Sequence, residues 1–341
     1  MLSERTLARL AQLNRQPLTD VSPAVRTPAP ASPASDSEAP AQLSLQDNDH
    51  ATTDLRGVSQ PTQLPLIGIR PCLEMGQTVD TPWGPYCLVR LPLDQVWPRS
   101  GECLRQLAST TPADWSGDAE LQALQNHFPH ETLLLDLETC GLSGSAIFLV
   151  GTICQIDGVW ELRQLWARDY SEEKAILQET WRLCADRKLL VTFNGKTFDW
   201  PMVHDRSTLH HLGQRRDRRR SRSRATDSSG DTELPFDPAE PWTRNTPRPE
   251  LVHCDLLRHA RRRWRGQVPN YRLQTLERYL CGRQRTDDLP GSEIPAAYHD
   301  YVRKGQSDQV DAILHHNALD LITSAQLAFK LLAGANPAEQ R

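Results

Sequence analysis

Leu133-Leu134-Leu135-Asp136-Leu137-Glu138-Thr139-Cys140-Gly141 is apolar until two carboxylates appear, and it ends on a glycine. It reads as a buried strand carrying its charge at the carboxyl end. Residues two apart on a strand share a face, so Asp136 and Glu138 project together while Leu135 and Leu137 pack behind them. Like charges side by side are costly unless a cation lies between them. Oxygen-only ligands of this kind suit Mg2+ or Mn2+. An Asp-x-Glu pair standing alone also fits a solvated strand end.

Downstream, Ala146 to Ile156 is a second apolar run, and Asp157-Gly158 turns it back into Trp160 to Trp166 as a hairpin. A helix opens at Asp169-Tyr170-Ser171 with Glu172 and Glu173 in its first turn, where the helix dipole favours acids. Ala175, Ile176, Leu177, Trp181 and Leu183 give it a buried stripe. Leu189 to Phe193 is a further strand. Together these elements predict an α/β layered domain over residues 131–335. Later helices are expected at 201–212, 273–280, 295–303 and 309–332.

Upstream, residues 1–64 are rich in Pro, Ala, Ser, Thr and Asp, a composition that cannot bury enough surface to offset its ordering entropy. A disordered tail is expected there, with Leu7, Leu10 and Leu13 able to line a short helix. Residues 65–130 read as a small β-containing lead-in. Its strands are Leu66 to Ile69 and Tyr86 to Leu91, with Thr81-Pro82-Trp83-Gly84-Pro85 as a turn. Residues 213–249 open with Arg215, Arg216, Arg218, Arg219, Arg220, Arg222 and Arg224 and then run through Ser, Asp, Gly and Pro. This is an insertion without core residues, either a solvated linker or a phosphate-seeking arm.

The 341 residues carry a formal charge of −4, so the chain as a whole is no polyanion magnet. Its eight cysteines are scattered, with no Cys-x-x-Cys, which argues against a zinc framework or disulfide scaffold and fits a reducing cytosol. No apolar run approaches the roughly 20 residues of a membrane span. A cytoplasmic protein without a membrane partner is expected.

Two further stretches carry chemistry. Thr192-Phe193-Asn194-Gly195-Lys196-Thr197-Phe198-Asp199-Trp200-Pro201 ends a strand, turns, and starts a helix, with Asp199 suited to capping it or to a site. His315-His316-Asn317-Ala318-Leu319-Asp320 falls in the last helix. At about 100° per residue, His316 shares a face with Asp320, whereas His315 points away. His253 and Asp255 sit two apart on a strand, where a structural role is the default. Phe198 and Trp200 read as core packing.

In this order the D-x-E strand, N-x-x-x-F-D and H-x-x-x-D resemble the DEDD superfamily of 3′–5′ exonucleases (DnaQ-like), and most closely the YprB-like ribonuclease H-like domain family. The resemblance covers residues 131–332 apart from the insertion. It implies a ribonuclease H-like fold, a mixed central sheet with flanking helices. It also implies that Asp136, Glu138, Asp199 and Asp320 hold two divalent ions, Mg2+ or Mn2+, about 3.5–4 Å apart. A histidine beside them would take a proton from water. His316 is favoured for this, with His315 left open. Cys140 replaces the family's frequent threonine. The implied activity is phosphodiester hydrolysis from a 3′ end of DNA or RNA. The rivals are an internal, ribonuclease H-type cut and a non-catalytic binding module assisting a helicase or repair partner. Asn194 and Lys196 either hold the loop or touch phosphate. Arg258, Arg261, Arg262, Arg263 and Arg265, expected on one helix, are candidate phosphate contacts.

Overall fold

The computed structural model describes residues 68–333 apart from 110–114, 116, 143, 213–250, 287, 306 and 308. The expected tail, the first residues of the lead-in and the Arg-rich insertion lie outside the described residues.

Seven strands form one sheet in the order β1-β2-β5-β4-β3-β6-β7. They are β1 Gln77–Thr81, β2 Gly84–Pro92, β3 Thr132–Thr139, β4 Ile147–Ile156, β5 Val159–Trp166, β6 Leu189–Thr192 and β7 Val252–Asp255. From β1 to β3 the pairing is antiparallel, whereas β3, β6 and β7 run parallel. The hairpin between β4 and β5 turns at Asp157 (φ 49°) and Gly158 (φ 82°), both left-handed as a two-residue turn of the primed type requires. Because β2 pairs with β5, the lead-in strands extend the main sheet. The partner of β2 is Gln77–Thr81, not the strand expected near Leu66. Gly68 and Ile69 instead donate their amides to Val96 O and Gln95 O, and Gly68 lies so close that a Cβ there would stand 2.1 Å from Gln95 O.

The helices are α1 Leu93–Val96, α2 Ser100–Ala108, α3 Ala119–His127, α4 Glu173–Ala185, α5 Asp199–Leu209, α6 Leu256–Arg263, α7 Leu273–Cys281, α8 Ile294–Lys304 and α9 Val310–Ala333. They cover both sheet faces. Leu133, Leu135 and Leu137 pack in one core with Ala175, Ile176 and Leu177 of α4 and with Met202 and Val203 of α5. Leu134 packs in the other with Ala318, Leu321 and Ile322 of α9. Strand alternation then turns Asp136 and Glu138 toward the α9 face. The helix expected to carry five arginines ends at Arg263, so Arg265 lies beyond it.

Candidate active site

The parallel half of the sheet places its carboxyl ends together, where ligand sites of α/β sheets form. Asp136 and Glu138 stand at the end of β3. The pairing of β3 with β6 stops at Leu134 opposite Val191, which leaves β3 amides beyond that point without a strand partner on that side. Asp199 supplies one: its Oδ1 accepts from the Leu137 amide at 3.1 Å. Phe198, not Asp199, occupies the cap position of α5, and Asp199 is the first helical residue. From α9, Asn317 Nδ2 donates to Asp136 Oδ2 at 2.8 Å. Asp320, three residues further on, receives the Arg285 guanidinium.

The electrostatics are those of crowded acids in a low-dielectric setting. Burial pushes the Asp136 carboxyl well above its usual range, and Asp320, Glu138 and Asp199 add to the effect, with Asn317 opposing it. Burial raises Glu138 to about 8; His316 pulls it down while Asp320, Asp199 and Asp288 push it further up. Asp199 is raised to about 7, again chiefly by burial, against the amides that donate to it. An all-oxygen set whose charged forms are disfavoured until a cation arrives is chemically suited to Mg2+ or Mn2+.

His316 faces this cluster. Its Nδ1 lies 2.9 Å from Asp288 Oδ1 and its Nε2 3.6 Å from Asp320 Oδ2. Burial alone would lower its pKa, but the Asp288 hydrogen bond and the charges of Asp320, Glu138 and Asp288 lift it to about 9. His315 differs: burial drops it to about 4, and its Nδ1 is buried without a hydrogen-bond partner. Arg285 ties the surroundings together through Glu277, Asp288 and Asp320. Asp288, Arg285 and Asn317 were not singled out from the sequence. An acid and an arginine in a loop rich in Asp, Pro and Gly give no periodic signal. Gly151 within an otherwise apolar strand does carry one, since a strand glycine often marks a close approach.

The loop after β6 is held from β7. Asp255 accepts the amides of Asn194 at 2.8 Å, Lys196 at 3.2 Å and Leu257 at 3.1 Å, so it caps α6 and fixes the turn at once. Asn194 adopts φ 64°, and a Cβ at Gly195 would meet Thr192 at 2.4 Å. His253 is hydrogen-bonded to Thr192 Oγ1 at 2.8 Å. Phe198 and Trp200 pack against the core. Glu120 of α3 gathers the Lys196 ammonium at 2.7 Å, Arg258 at 3.2 Å and His259 at 2.9 Å. Arg262 pairs with Asp118, while Arg261 is exposed.

Among the described residues, three potential ligand atoms within 4.8 Å of one another occur at Glu120, Cys254 and His259 rather than among the four predicted carboxylates. The cations already gathered on Glu120 account for this trio as an ion-pair hub. Among the carboxylates, repulsion and the hold of Arg285 on Asp320 act against close approach.

A family model described as the RNase H superfamily matches residues 133–332. The match spans the sheet from β3 onward and every residue of the cluster. The chain belongs to the RNase H superfamily. The chain is also 30% identical, over 215 residues, to "Uncharacterized protein YprB" of Bacillus subtilis (strain 168). That alignment covers 62% of this chain and 44% of the relative, so the chain spans less than half of the relative's length. The RNase H-like domain is thus of the YprB type. Among the described residues no helix is long and apolar enough to cross a membrane.

Proposed function

We propose that this RNase H-like domain is a divalent-metal-dependent nuclease that removes nucleotides from a 3′ end of DNA or RNA. The observation that supports the reading is that Asp136 and Glu138 at the end of β3, Asp199 at the start of α5 and Asp320 on α9 converge on the carboxyl ends of the parallel strands, where burial raises the first three and Arg285 holds Asp320. These four would hold Mg2+ or Mn2+, and two such ions supply a polarised water and a neutralised leaving oxygen for in-line displacement at phosphorus.

The chain's own groups do the rest. The Leu137 amide fixes the orientation of Asp199. Asp288 holds His316 Nδ1, which directs Nε2 at the cluster. His316 stays protonated while the carboxylates around it are uncompensated. With that charge offset by bound cations, Nε2 would be the group placed to take the proton of the attacking water. Asn194 and Lys196 shape the rim beside Asp199, and Arg258, Arg261 and Arg262 offer positive charge on α6 for backbone phosphates.

The test is degradation of 5′-labelled single-stranded DNA and RNA with Mn2+, Mg2+ or EDTA, comparing wild type with Asp136→Ala. A metal-dependent ladder shortening from the 3′ end, absent in the variant, is expected. Cleavage of circular or 3′-blocked substrate would replace the exonuclease by an internal cutter. Substrates left intact by both proteins, with equal binding, would leave a non-catalytic binding module.

A further inference from the structure

We propose that Asn317 is a positioning residue: its side-chain amide, seated in a notch left by Gly151, fixes the Asp136 carboxylate for a divalent cation. The inference rests on the reading of Asp136 as a metal ligand.

The register builds the notch. Asp136 on β3 lies opposite Gly151 on β4, and Gly151 lies opposite Gln164 on β5. Asn317 comes down from α9 onto this row and is fully buried. A Cβ at Gly151 would stand 2.0 Å from Asn317 Oδ1, well inside any tolerated contact, so only glycine leaves the amide its place.

Two hydrogen bonds then set the direction of the amide. Gln164 Nε2 donates to Asn317 Oδ1 at 3.0 Å, and it is itself anchored on Leu314 O at 2.7 Å. With its oxygen so engaged, Asn317 turns its NH2 toward Asp136, where Nδ2 donates to Oδ2 at 2.8 Å. A carboxylate surrounded by other acids would otherwise swing away from them. The amide holds one oxygen and leaves the other free to ligate. Strand glycine, core glutamine and helix asparagine thus act as one device across three elements.

The experiment measures Mn2+ binding to the full chain by calorimetry, for wild type, Asn317→Ala, Gly151→Ala and Asp136→Asn, with folding of each checked by circular dichroism. Loss of a partner of this kind typically costs about 10–100-fold in metal affinity, and that weakening is expected for Asn317→Ala. Gly151→Ala should weaken binding too, since it displaces the amide without removing it. Should Asn317→Ala not fold, Asn317→Ser takes its place. Wild-type Mn2+ affinity in folded Asn317→Ala, alongside its loss in Asp136→Asn, overturns the proposal alone. Wild-type affinity in Asp136→Asn overturns the metal-ligand reading and the proposal together.

Discussion

His316 Nδ1 lies 2.9 Å from Asp288 Oδ1, and this contact joins the last helix to the loop that follows α7. It helps raise the histidine from its ordinary 6.5 to about 9. A group whose folded pKa is raised contributes stability that is complete below its unfolded pKa and is lost as pH rises through the folded one. In EDTA, Asp288→Asn should therefore be less stable than wild type by about 1.5–3 kcal/mol at pH 6, the worth of a charged hydrogen bond. The gap should narrow by pH 10 to what the Asp288–Arg285 pair contributes. Urea denaturation at the two pH values checks this, and a gap of equal size at both would refute it.

Glu138 gives a slope of the same sign in a lower pH window. Burial and neighbouring carboxylates raise it from 4.5 to about 8. The folded chain then binds more protons than the unfolded one between those values, so its stability falls as pH rises through that window. Glu138→Gln should melt near wild type at pH 4.5 and above it at pH 8.5 in EDTA, by on the order of a few kcal/mol. Mn2+ should reverse the order. Ligand at 100 times its Kd stabilises by about 2.7 kcal/mol, and the variant should gain less. Melting scans with and without EDTA give the comparison.

Much of this was legible because its signals are local. The Asp136/Glu138 strand, the Asp157-Gly158 turn and the four-residue spacing of His316 and Asp320 each depend on neighbours in sequence. So do the bounds of α4, α7, α8 and α9, which fall close to those expected. The capping reading of Asp199 gave way because its partner, the Leu137 amide, is 62 residues away and is left unpaired by a strand that stops early. Asp288 and Arg285 were invisible for the same reason: their partners are set by how the loop after α7 returns to α9. The strand expected near Leu66 reflects composition alone. Of it, Gly68 and Ile69 are described, and their amides find acceptors at the end of α1, which no local pattern announces.

Asp199 separates structural from chemical roles. Asp199→Asn keeps an oxygen for the Leu137 amide but removes the charge, so it should fold as well as wild type while nuclease activity falls. The loss should be at least about 100-fold, the upper range for residues that only support a metal ligand. Asp199→Ala should show the same loss and also be destabilised by about 1–3 kcal/mol, because a buried donor is left unsatisfied. Equal stability of the two variants would argue against the Leu137 bond, and retained activity in Asp199→Asn against the site.

The arginines of α6 are not equivalent. Arg258 is paired with Glu120 and Arg262 with Asp118, and both side chains are largely exposed, so each pair is worth about 0.2–1 kcal/mol and a phosphate can displace it only by giving that up. Arg261 is exposed and, among the described residues, has no ion pair to give up. If α6 follows the backbone of a bound strand, Arg261→Ala should lower the slope of log affinity against log salt by about 1 without changing stability. Arg262→Ala should change that slope less, and its small stability loss should be exceeded by that of Asp118→Ala, which also removes the capping acceptor for the Leu121 amide at the start of α3. Filter binding of a single-stranded oligonucleotide across a salt series, in EDTA to prevent cleavage, resolves the three. An unchanged slope for Arg261→Ala would take α6 out of the binding path and leave its arginines as partners of α3.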